Sequence, residues 1–524
     1  MSNQESTTTR EVERIRAGHR LPSDPAIIRI LLYTDDTNGI RPGNDTSDLG
    51  TMIEHLYAHQ PAFARFDVNW ASRNSKTSDN KLNPEMLKLY DEIWFFGIHQ
   101  LNNEPDAPES ELTEDEVRAL TDWMKIDEMK ELKGGGVLMT GDHSEPRPKG
   151  RPGQNPLCPD SSKECLLNLG RALGRCVPRA GLLRKWEGTP TSNPPADRFN
   201  TQTPVSGHDP GGGELQTDAF PMRLLLSRFD AMGKPSSTGA AHPLFFYPQG
   251  GFIQVFPDHV HEGAVIIPES FDEEVWPKGK SVWPKPQVVA RGLDYENGTM
   301  GNILAAYDGD SAGVGRIVAD STWHHYMNEN LDRFRPGTPL GSDADQIGQF
   351  YGNLGLWLAP FTKRRDMAHV MFGWLASRLS VREESLGQAN VPSAAQIAAI
   401  GRAAYSALLR VASPCEVHEL LTVSLPPEYR DHFERVDLPE TGVSLSLFPS
   451  KEEALGFILD SYQRAIINSA DVDPEERLSR MEASICDGFR LAFQSHVKRL
   501  EQFALEVSNT HNLGFNEEKE KRNG

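Results

Sequence analysis

Long apolar runs and cysteine motifs are both missing from this sequence, and each absence excludes a class of protein. No stretch of roughly 18 or more apolar residues occurs, so the sequence does not predict a membrane-spanning helix. Five cysteines are present in 524 residues, and no two of them form a Cys-x-x-Cys pair. The odd count and the spacing do not fit a disulfide framework or a zinc site, so reduced thiols are predicted.

Basic residues are also few relative to acidic ones. The chain has 54 Lys and Arg against 74 Asp and Glu, which gives a formal net charge of −20. An acidic surface repels nucleic acids and anionic membranes, so neither is predicted as a partner. The first residues are polar and lack the apolar core of a signal peptide, so the sequence predicts a cytoplasmic protein in which residues 1–25 form a flexible arm.

A Gly-x-Cys-x-Gly motif is missing as well, and the one Gly-x-Ser-x-Gly match, at 309–313, falls in a predicted hairpin loop rather than at the strand-to-helix turn of a nucleophile elbow. Ser144 follows His143, and Cys158 is the nearest thiol, but neither lies in a motif that would position a nucleophile. The sequence therefore does not predict covalent catalysis by serine or cysteine.

The first 145 residues alternate between strand-like and helix-like segments. Strands are predicted at 26–33, 66–70, 91–97 and 137–139, and helices at about 48–59 and 112–132. Ser47 or Asp48 is predicted to cap the first helix, and the segment 112–116, which has the pattern of a capping box, to open the second. This alternation is typical of the parallel βαβ units of an α/β protein.

The rest of the chain is predicted to complete this domain and to add a helical one. Further strands are predicted at 251–256, 263–267, 287–291, 302–307 and 315–319, with a hairpin loop at 308–313 and helices at 346–380. The predicted domains are an α/β domain at 26–385 with a long loop insertion at 146–221, a helical C-terminal domain at 386–515, and a charged tail at 516–524. The last predicted helix, 474–507, is unusually long, which favours packing across a partner and hence a homo-oligomer.

Three predicted strand-end loops concentrate histidines and acids. They are Gly141-Asp142-His143, the segment 257–263 with His259, His261 and Glu262, and the segment 320–326 with Asp320, His324 and His325. Ligands of open α/β sheets bind beyond the carboxyl ends of the strands, so these loops are predicted to form one site. The predicted catalytic residues are Asp142, His143, His259, His261, Glu262 and His324.

Two chemistries fit these residue types. A carboxylate can orient an imidazole and raise its basicity, which makes a general base near neutral pH. Two or three imidazoles with a carboxylate can instead bind a divalent metal, and His259 and His261, two residues apart, would then share one face of a strand as ligands. A third interpretation is that each histidine is a loop residue bonded to backbone groups. The predicted substrate-binding residues are Asp35, Asp36, Asn38, His242, Asp320 and His325.

Four segments carry a resemblance to a known superfamily. They are DEIWFFG at 91–97, GGGVLMTGDH at 134–143, Ala241-His242-Pro243-Leu244, and GRIVADSTWHH at 315–325. In this order they resemble the class I glutamine amidotransferase-like superfamily, and within it the trehalose-utilisation (ThuA-like) proteins. The resemblance covers roughly residues 26–380. It implies a flavodoxin-like, doubly wound sheet in which one strand delivers the nucleophile elbow and a late strand ends in His.

The elbow departs from the amidotransferase pattern. Amidotransferases place Cys at this turn, whereas this chain has Asp142 and His143. Glutamine hydrolysis by a thiol is therefore not predicted. The predicted function is hydrolase-like chemistry on a small polar substrate, such as a sugar derivative. The alternative is a catalytically inactive scaffold whose C-terminal helices mediate assembly or partner binding.

Overall fold

The computed structural model describes two compact units of the chain. The described residues are 25–35, 39–45, 48–73, 80–96, 112–127, 132–140, 184–185, 221–229, 235–237, 239–249, 251–257, 264–265, 267, 271, 273, 276–279, 283–293, 300–335, 341, 343–378, 392–412, 414–425, 449–469 and 472–523. One unit is Pro25–Asp366, and the other contains the residues from Met367 onward.

Strands and helices of the first unit alternate along the chain up to residue 123, as the apolar patterning predicts, and strands predominate from there to residue 320. The strands are β1 (Ala26–Asp35), β2 (Ala64–Arg73), β3 (Glu92–Phe96), β4 (Ile126–Asp127), β5 (Leu132–Lys133), β6 (Gly136–Met139), β7 (Arg184–Lys185), β8 (Pro221–Leu226), β9 (Arg228–Phe229), β10 (Ala240–Ala241), β11 (Val255–Pro257), β12 (Ala264–Val265), β13 (Gln287–Leu293), β14 (Met300–Tyr307) and β15 (Ile317–Asp320). The α-helices are α1 (Gly50–Ala58), α2 (Pro84–Leu87), α3 (Glu114–Trp123), α4 (Asn328–Leu331), α5 (Ala344–Leu358) and α6 (Phe361–Ser377), the last of which continues beyond this unit. Single turns of 3-10 helix lie at Pro243–Phe245, Asp310–Ala312, His324–Tyr326 and Asp332–Phe334.

Nine of the described strands form one mixed sheet in the order β11-β8-β13-β14-β15-β6-β3-β1-β2. The half from β2 to β15 is parallel throughout. The strands β14, β13, β8 and β11 continue the sheet antiparallel to their neighbours. The predicted α/β class is therefore confirmed, and the predicted hairpin joins β14 to β15 through the 3-10 turn at Asp310–Ala312.

Helices cover both faces of this sheet. On one face, Leu31 and Tyr33 of β1 belong to the same apolar cluster as Leu120 of α3. On the other face α5 approaches β2 closely, because a Cβ atom added at Gly355 would lie 2.6 Å from the ring of Phe66. The parallel strands are thus buried on both sides, which explains why β3 reads as an unbroken apolar run after its first residue.

The two helix starts predicted from sequence differ in outcome. The capping box of α3 is confirmed, since Thr113 and Glu116 cap each other's backbone amides. The N-cap of α1 is Leu49, rather than Ser47 or Asp48, and it provides no side-chain cap. The Asp48 carboxylate instead accepts a hydrogen bond from the Asp45 amide at 3.0 Å, within the loop before the helix.

The end of α3 also differs from the prediction. The helix ends at Trp123 rather than near residue 132. Beyond it, β4 and β5 pair as a short antiparallel hairpin, and Gly134 adopts a left-handed φ of 75°. A Cβ atom at Gly134 would also lie 2.4 Å from the Ile126 side chain, so glycine is required for this turn into β6.

Glu92 is a fully buried acid at the start of β3. Its Oε2 accepts a hydrogen bond from Trp94 Nε1 at 2.9 Å, whereas Oε1 has no partner within the described residues. Burial raises the pKa of the Glu92 carboxyl well above its ordinary value of 4.5. Such a group contributes stability below pH 4.5 and loses that contribution as the pH rises toward its folded-state pKa.

We therefore expect Glu92→Gln to raise the free energy of unfolding at pH 8, on the order of 1 to 3 kcal/mol, because a neutral amide removes the burial cost of the charge. The gain should shrink at pH 5, because a lower pH favours the protonated carboxyl of Glu92, which carries no charge to bury. Urea denaturation at both pH values measures this difference. Glu54→Gln, at an exposed position of α1, is the matched control and should change stability equally little at both.

The second unit is helical, as predicted. Its further helices are α7 (Ala394–Leu408), α8 (Pro414–Val423), α9 (Lys451–Asn468) and α10 (Pro474–Asn523). The backbones of α7 and α9 touch, because a Cβ atom added at Gly401 would lie 1.7 Å from the Glu452 carbonyl oxygen. The helix α10 extends to Asn523, well beyond its predicted end at residue 507. No helix in the described parts of the chain has both the length and the apolarity needed to cross a bilayer.

Candidate functional site

The carboxyl ends of parallel strands lie side by side at one edge of the sheet. Register pairs Phe95 of β3 with Met139 of β6, and Met139 with Ala319 of β15. Directly after β6, the Thr140 hydroxyl donates a hydrogen bond to the Phe95 carbonyl oxygen at 2.7 Å. This edge is the position at which open α/β sheets bind ligands.

The predicted site residues fall into two groups. Asp36, Asn38, Asp142, His143, His259, His261 and Glu262 lie outside the described residues. Asp35 is the last residue of β1, and His242, Asp320, His324 and His325 are described with their side chains. The geometry of the edge is therefore built from the second group and its neighbours.

Asp320 ends β15 and is the centre of a buried hydrogen-bond cluster. Its Oδ1 lies 2.8 Å from Nδ1 of His325 and accepts from the Thr322 amide at 3.3 Å. Its Oδ2 accepts a hydrogen bond from the Tyr326 hydroxyl at 2.9 Å. Asp320 and His325 are both fully buried. Because an ionised carboxylate only accepts, Nδ1 of His325 carries the proton in this pair.

Two tyrosines complete the cluster. The Tyr351 hydroxyl, on α5, donates a hydrogen bond to the His325 carbonyl oxygen. Burial and the nearby Asp320 carboxylate raise the pKa values of Tyr326 and Tyr351 well above their ordinary range, so both hydroxyls stay protonated and act as donors. Because these four side chains are fully buried and linked by hydrogen bonds, the cluster can fix the turn after β15.

The end of β11 lies beside the same cluster. The ring centroids of Phe256 and His325 are 4.8 Å apart, and Phe256 also packs on Phe350 of α5 at 4.6 Å. The described part of β11 ends at Pro257, one residue later. The strand that precedes the predicted second loop therefore ends next to the turn that contains the third, although β11 is at the far edge of the sheet.

His324 occupies a different environment from His325. It is half-buried, its amide donates to the Thr322 hydroxyl at 3.1 Å, and its carbonyl oxygen accepts from Nδ2 of Asn330 at 2.7 Å. Its backbone is therefore held on both sides. Although the residue as a whole is only half-buried, both ring nitrogens of His324 are buried.

Asn328 links the turn after β15 to the loop after β1. Its Oδ1 accepts a hydrogen bond from the Thr51 amide at 2.8 Å, in the first turn of α1. Its Nδ2 donates to the Gly43 and Asp45 carbonyl oxygens at 3.1 and 2.8 Å. One buried side chain thus caps α1 and holds the 43–45 segment against the neighbouring strand-end turn.

His242 lies away from this edge and is not brought together with the other described residues of the predicted site. Its Nδ1 accepts from the Leu244 amide at 3.4 Å, and its ring packs on Trp357 of α5 at 4.9 Å. The Trp357 carbonyl oxygen accepts from Arg316, which precedes β15 at the amino end of the parallel strands. His242 therefore caps a 3-10 turn near the opposite edge of the sheet.

Sequence reasoning missed three residues that shape the site. Tyr326 lies in the third predicted loop but was given no role there, and Tyr351 lies in an apolar helical segment, where it is indistinguishable from an ordinary core residue. Asn328 was missed because its partners are distant in the chain; the one local signal is that Leu49, before α1, cannot cap the helix with its side chain. Within the described residues, no group of three or more His, Cys, Asp or Glu side chains is arranged to hold a metal ion.

Comparison with family models and with curated proteins identifies no relative of this chain. A scan against protein-family models finds no match to the chain, and a search of curated proteins finds no significant match. Inference about function therefore starts from the residues and contacts of this chain.

Proposed function

We propose that this protein is a hydrolase-like enzyme of the amidotransferase-like superfamily that acts on a small polar substrate, such as a sugar derivative. The observation that carries the proposal is the Asp320–His325 cluster at the carboxyl edge, beside the ends of β6 and β11. Both of these strands precede segments rich in His and acids. In this proposal the protein is cytoplasmic and binds neither nucleic acid nor membrane, in keeping with its net charge of −20.

The order of the parallel strands supports a flavodoxin-like arrangement. If β6 and β15 are counted as the fourth and fifth parallel strands, the order β2-β1-β3-β6-β15 becomes 2-1-3-4-5, which is the flavodoxin-type order. In that pattern the ligand crevice opens at the switch point between the first and third strands. Asp35 ends β1 at this point, which favours its predicted role in substrate binding.

The proposed mechanism is general-base hydrolysis. One imidazole, of His143 or His259, takes a proton from the attacking water, and Asp142 or Glu262 orients that imidazole. The buried Asp320–His325 pair acts as a positioning element, because it holds the turn that contains His324 in place.

Replacing His143 or His259 by Ala is expected to lower kcat/KM by roughly 10²- to 10⁴-fold, the usual contribution of a general base. The measurement is hydrolysis of a panel of small sugar esters and glycosides by the full chain. His369→Ala, in the helical unit, is the control and should leave the rate unchanged. Full activity in both His143 and His259 variants would rule the proposed site out.

Metal content distinguishes the two chemistries that the residue types allow. Elemental mass spectrometry is to be run on the purified protein before and after chelation, with the His259→Ala/His261→Ala variant alongside. Stoichiometric divalent metal that disappears in the variant would replace the general-base mechanism with a metal-activated water. Activity that survives chelation supports the general base.

A second candidate function is a scaffold whose C-terminal helices mediate assembly. The observation that favours it is α10, which spans 50 residues and leaves Phe503 and Leu505 exposed by 49% and 64%. An exposed helix of this length gains most of its stability from packing. A partner surface on α10 would supply such packing.

If α10 mediates self-association, Phe503→Ser/Leu505→Ser is expected to shift the full chain from an oligomer to a monomer. Loss of the exposed apolar surface removes the driving force for association. Light scattering coupled to size exclusion measures the mass. Leu89→Ser, at an exposed apolar position of the first unit, is the control. A wild-type chain that is already monomeric contradicts this function.

A further inference from the structure

The helical unit contains a cavity that the proposed enzymatic site does not use. It has a volume of about 290 Å³ and lies between α7, α9 and α10. Ile397, Ala398 and Phe457 form its apolar lining, and Arg402 and Glu452 contribute charged groups. The volume is at the lower end of the range for ligand pockets, roughly 300 to 1,000 Å³, so a small ligand is the appropriate size.

The cavity is lined by two acidic and two basic side chains, and only one acid and one base among them pair with each other. Glu453 and Arg499, which also line it, form an ion pair between α9 and α10. Within the part of the chain that the structure describes, the side chains of Arg402 and Glu452 form no ion pair or hydrogen bond, although the backbones of their helices touch at Gly401. The cavity is therefore bordered by one unpaired guanidinium and one unpaired carboxylate, on different helices.

We propose that this cavity binds a free α-amino acid with an apolar side chain. The ligand carboxylate pairs with Arg402, its ammonium group pairs with Glu452, and its side chain packs on Ile397 and Phe457. A simple anion would be repelled by Glu452 and a simple cation by Arg402, whereas a zwitterion satisfies both. This inference concerns the helical unit alone and stands independently of the proposed hydrolase activity.

The test is isothermal titration calorimetry of the full chain with L-phenylalanine and L-leucine. Saturable binding at one site is expected for at least one of them. N-acetyl-L-phenylalanine, which lacks the ammonium charge, and L-phenylalaninamide, which lacks the carboxylate, are each expected to bind about tenfold more weakly or worse, because each loses one charge-assisted contact.

Two variants assign these contacts. Arg402→Ala is expected to weaken binding of L-phenylalanine about tenfold. In this variant L-phenylalanine and L-phenylalaninamide should bind with equal affinity. In the Glu452→Gln variant, L-phenylalanine and N-acetyl-L-phenylalanine should bind with equal affinity. Arg410→Ala and Glu501→Gln change exposed charges outside the cavity and are the matched controls.

Three results would overturn the inference. The first is that neither amino acid binds, with the fold of the protein verified by circular dichroism. The second is that both variants bind as tightly as the wild type, which would put the ligand elsewhere. The third is that the amide and the N-acetyl compound bind as well as L-phenylalanine itself, which would exclude recognition as a zwitterion.

Discussion

Asn328→Asp is expected to destabilise the first unit more than Asn328→Ala, even though Asp is closer to Asn in shape. The Asn328 side chain is fully buried; its oxygen caps α1 at Thr51, and its nitrogen donates to two carbonyl oxygens. Alanine removes these bonds, at a cost of about 2 to 3 kcal/mol. Aspartate keeps the cap but turns a carboxylate oxygen toward the two carbonyl oxygens, which costs about 3 to 5 kcal/mol as a buried, uncompensated charge.

Urea denaturation of both variants at neutral and acidic pH measures this difference. A protonated Asp can donate one of the lost hydrogen bonds, so the Asp variant should recover relative to the Ala variant as the pH falls. Asn69 is exposed on β2, and its Asp and Ala variants serve as controls that should change stability by less than about 0.5 kcal/mol. An Asp variant as stable as wild type would show that Asn328 does not hold the two loops together.

Glu116→Ala is expected to cost about 3 to 5 kcal/mol, because it removes a buried, hydrogen-bonded negative charge from beside the Arg73 guanidinium. Arg73 donates to Glu116 through Nε and Nη2 at 3.1 and 3.0 Å, and both side chains are 2% exposed. The same carboxylate accepts from the amides of Leu82 and Thr113 at 3.1 and 2.8 Å. Asp115→Ala, at the exposed neighbouring position in α3, is the matched control.

The stability that the Arg73–Glu116 ion pair contributes is expected to decrease as the pH falls. Burial alone would raise the pKa of Glu116, but the hydrogen bonds from Arg73 and Thr113 outweigh it and hold the pKa below its ordinary value of 4.5. The ion pair thus contributes stability above pH 4.5 and loses it as the pH falls through the lowered pKa. Wild type should therefore lose more stability than Glu116→Ala on acidification. A parallel decline of the two proteins would contradict the assignment.

Local sequence signals were sufficient for most of the fold and insufficient for its long-range contacts. The capping box of α3 was predictable because Thr113 and Glu116 lie within one helical turn. The second partner of Glu116, Arg73, lies 43 residues earlier, so no local sequence pattern predicts this contact. The N-cap of α1 was predicted wrongly for the same reason, since Asn328 caps that helix from 277 residues away.

In the candidate site, too, local sequence signals predict some features, whereas others depend on long-range contacts. Asp320 and His325 were predictable as members of one strand-end turn, because they are five residues apart after an apolar strand. His325 is buried because Phe256 of β11 and Tyr351 of α5 pack around it. Both residues are distant from His325 in the chain, and only the fold brings them close to it. His242 was assigned by its His-Pro pattern, and its contact with Trp357 places it at the other end of the strands.

The pairing of β6 with β15 also determines when the sheet can close during synthesis. Ile317 pairs with Val137 but follows it by 180 residues, and β15 joins the strands β14, β13, β8 and β11 to the parallel half. At about 5 to 20 residues per second, a ribosome needs roughly 9 to 36 s to deliver β15 after β6. Until then the apolar β6 presents an open edge that can pair with another chain. Recombinant yield should therefore depend on chaperones that shield this edge on the nascent chain.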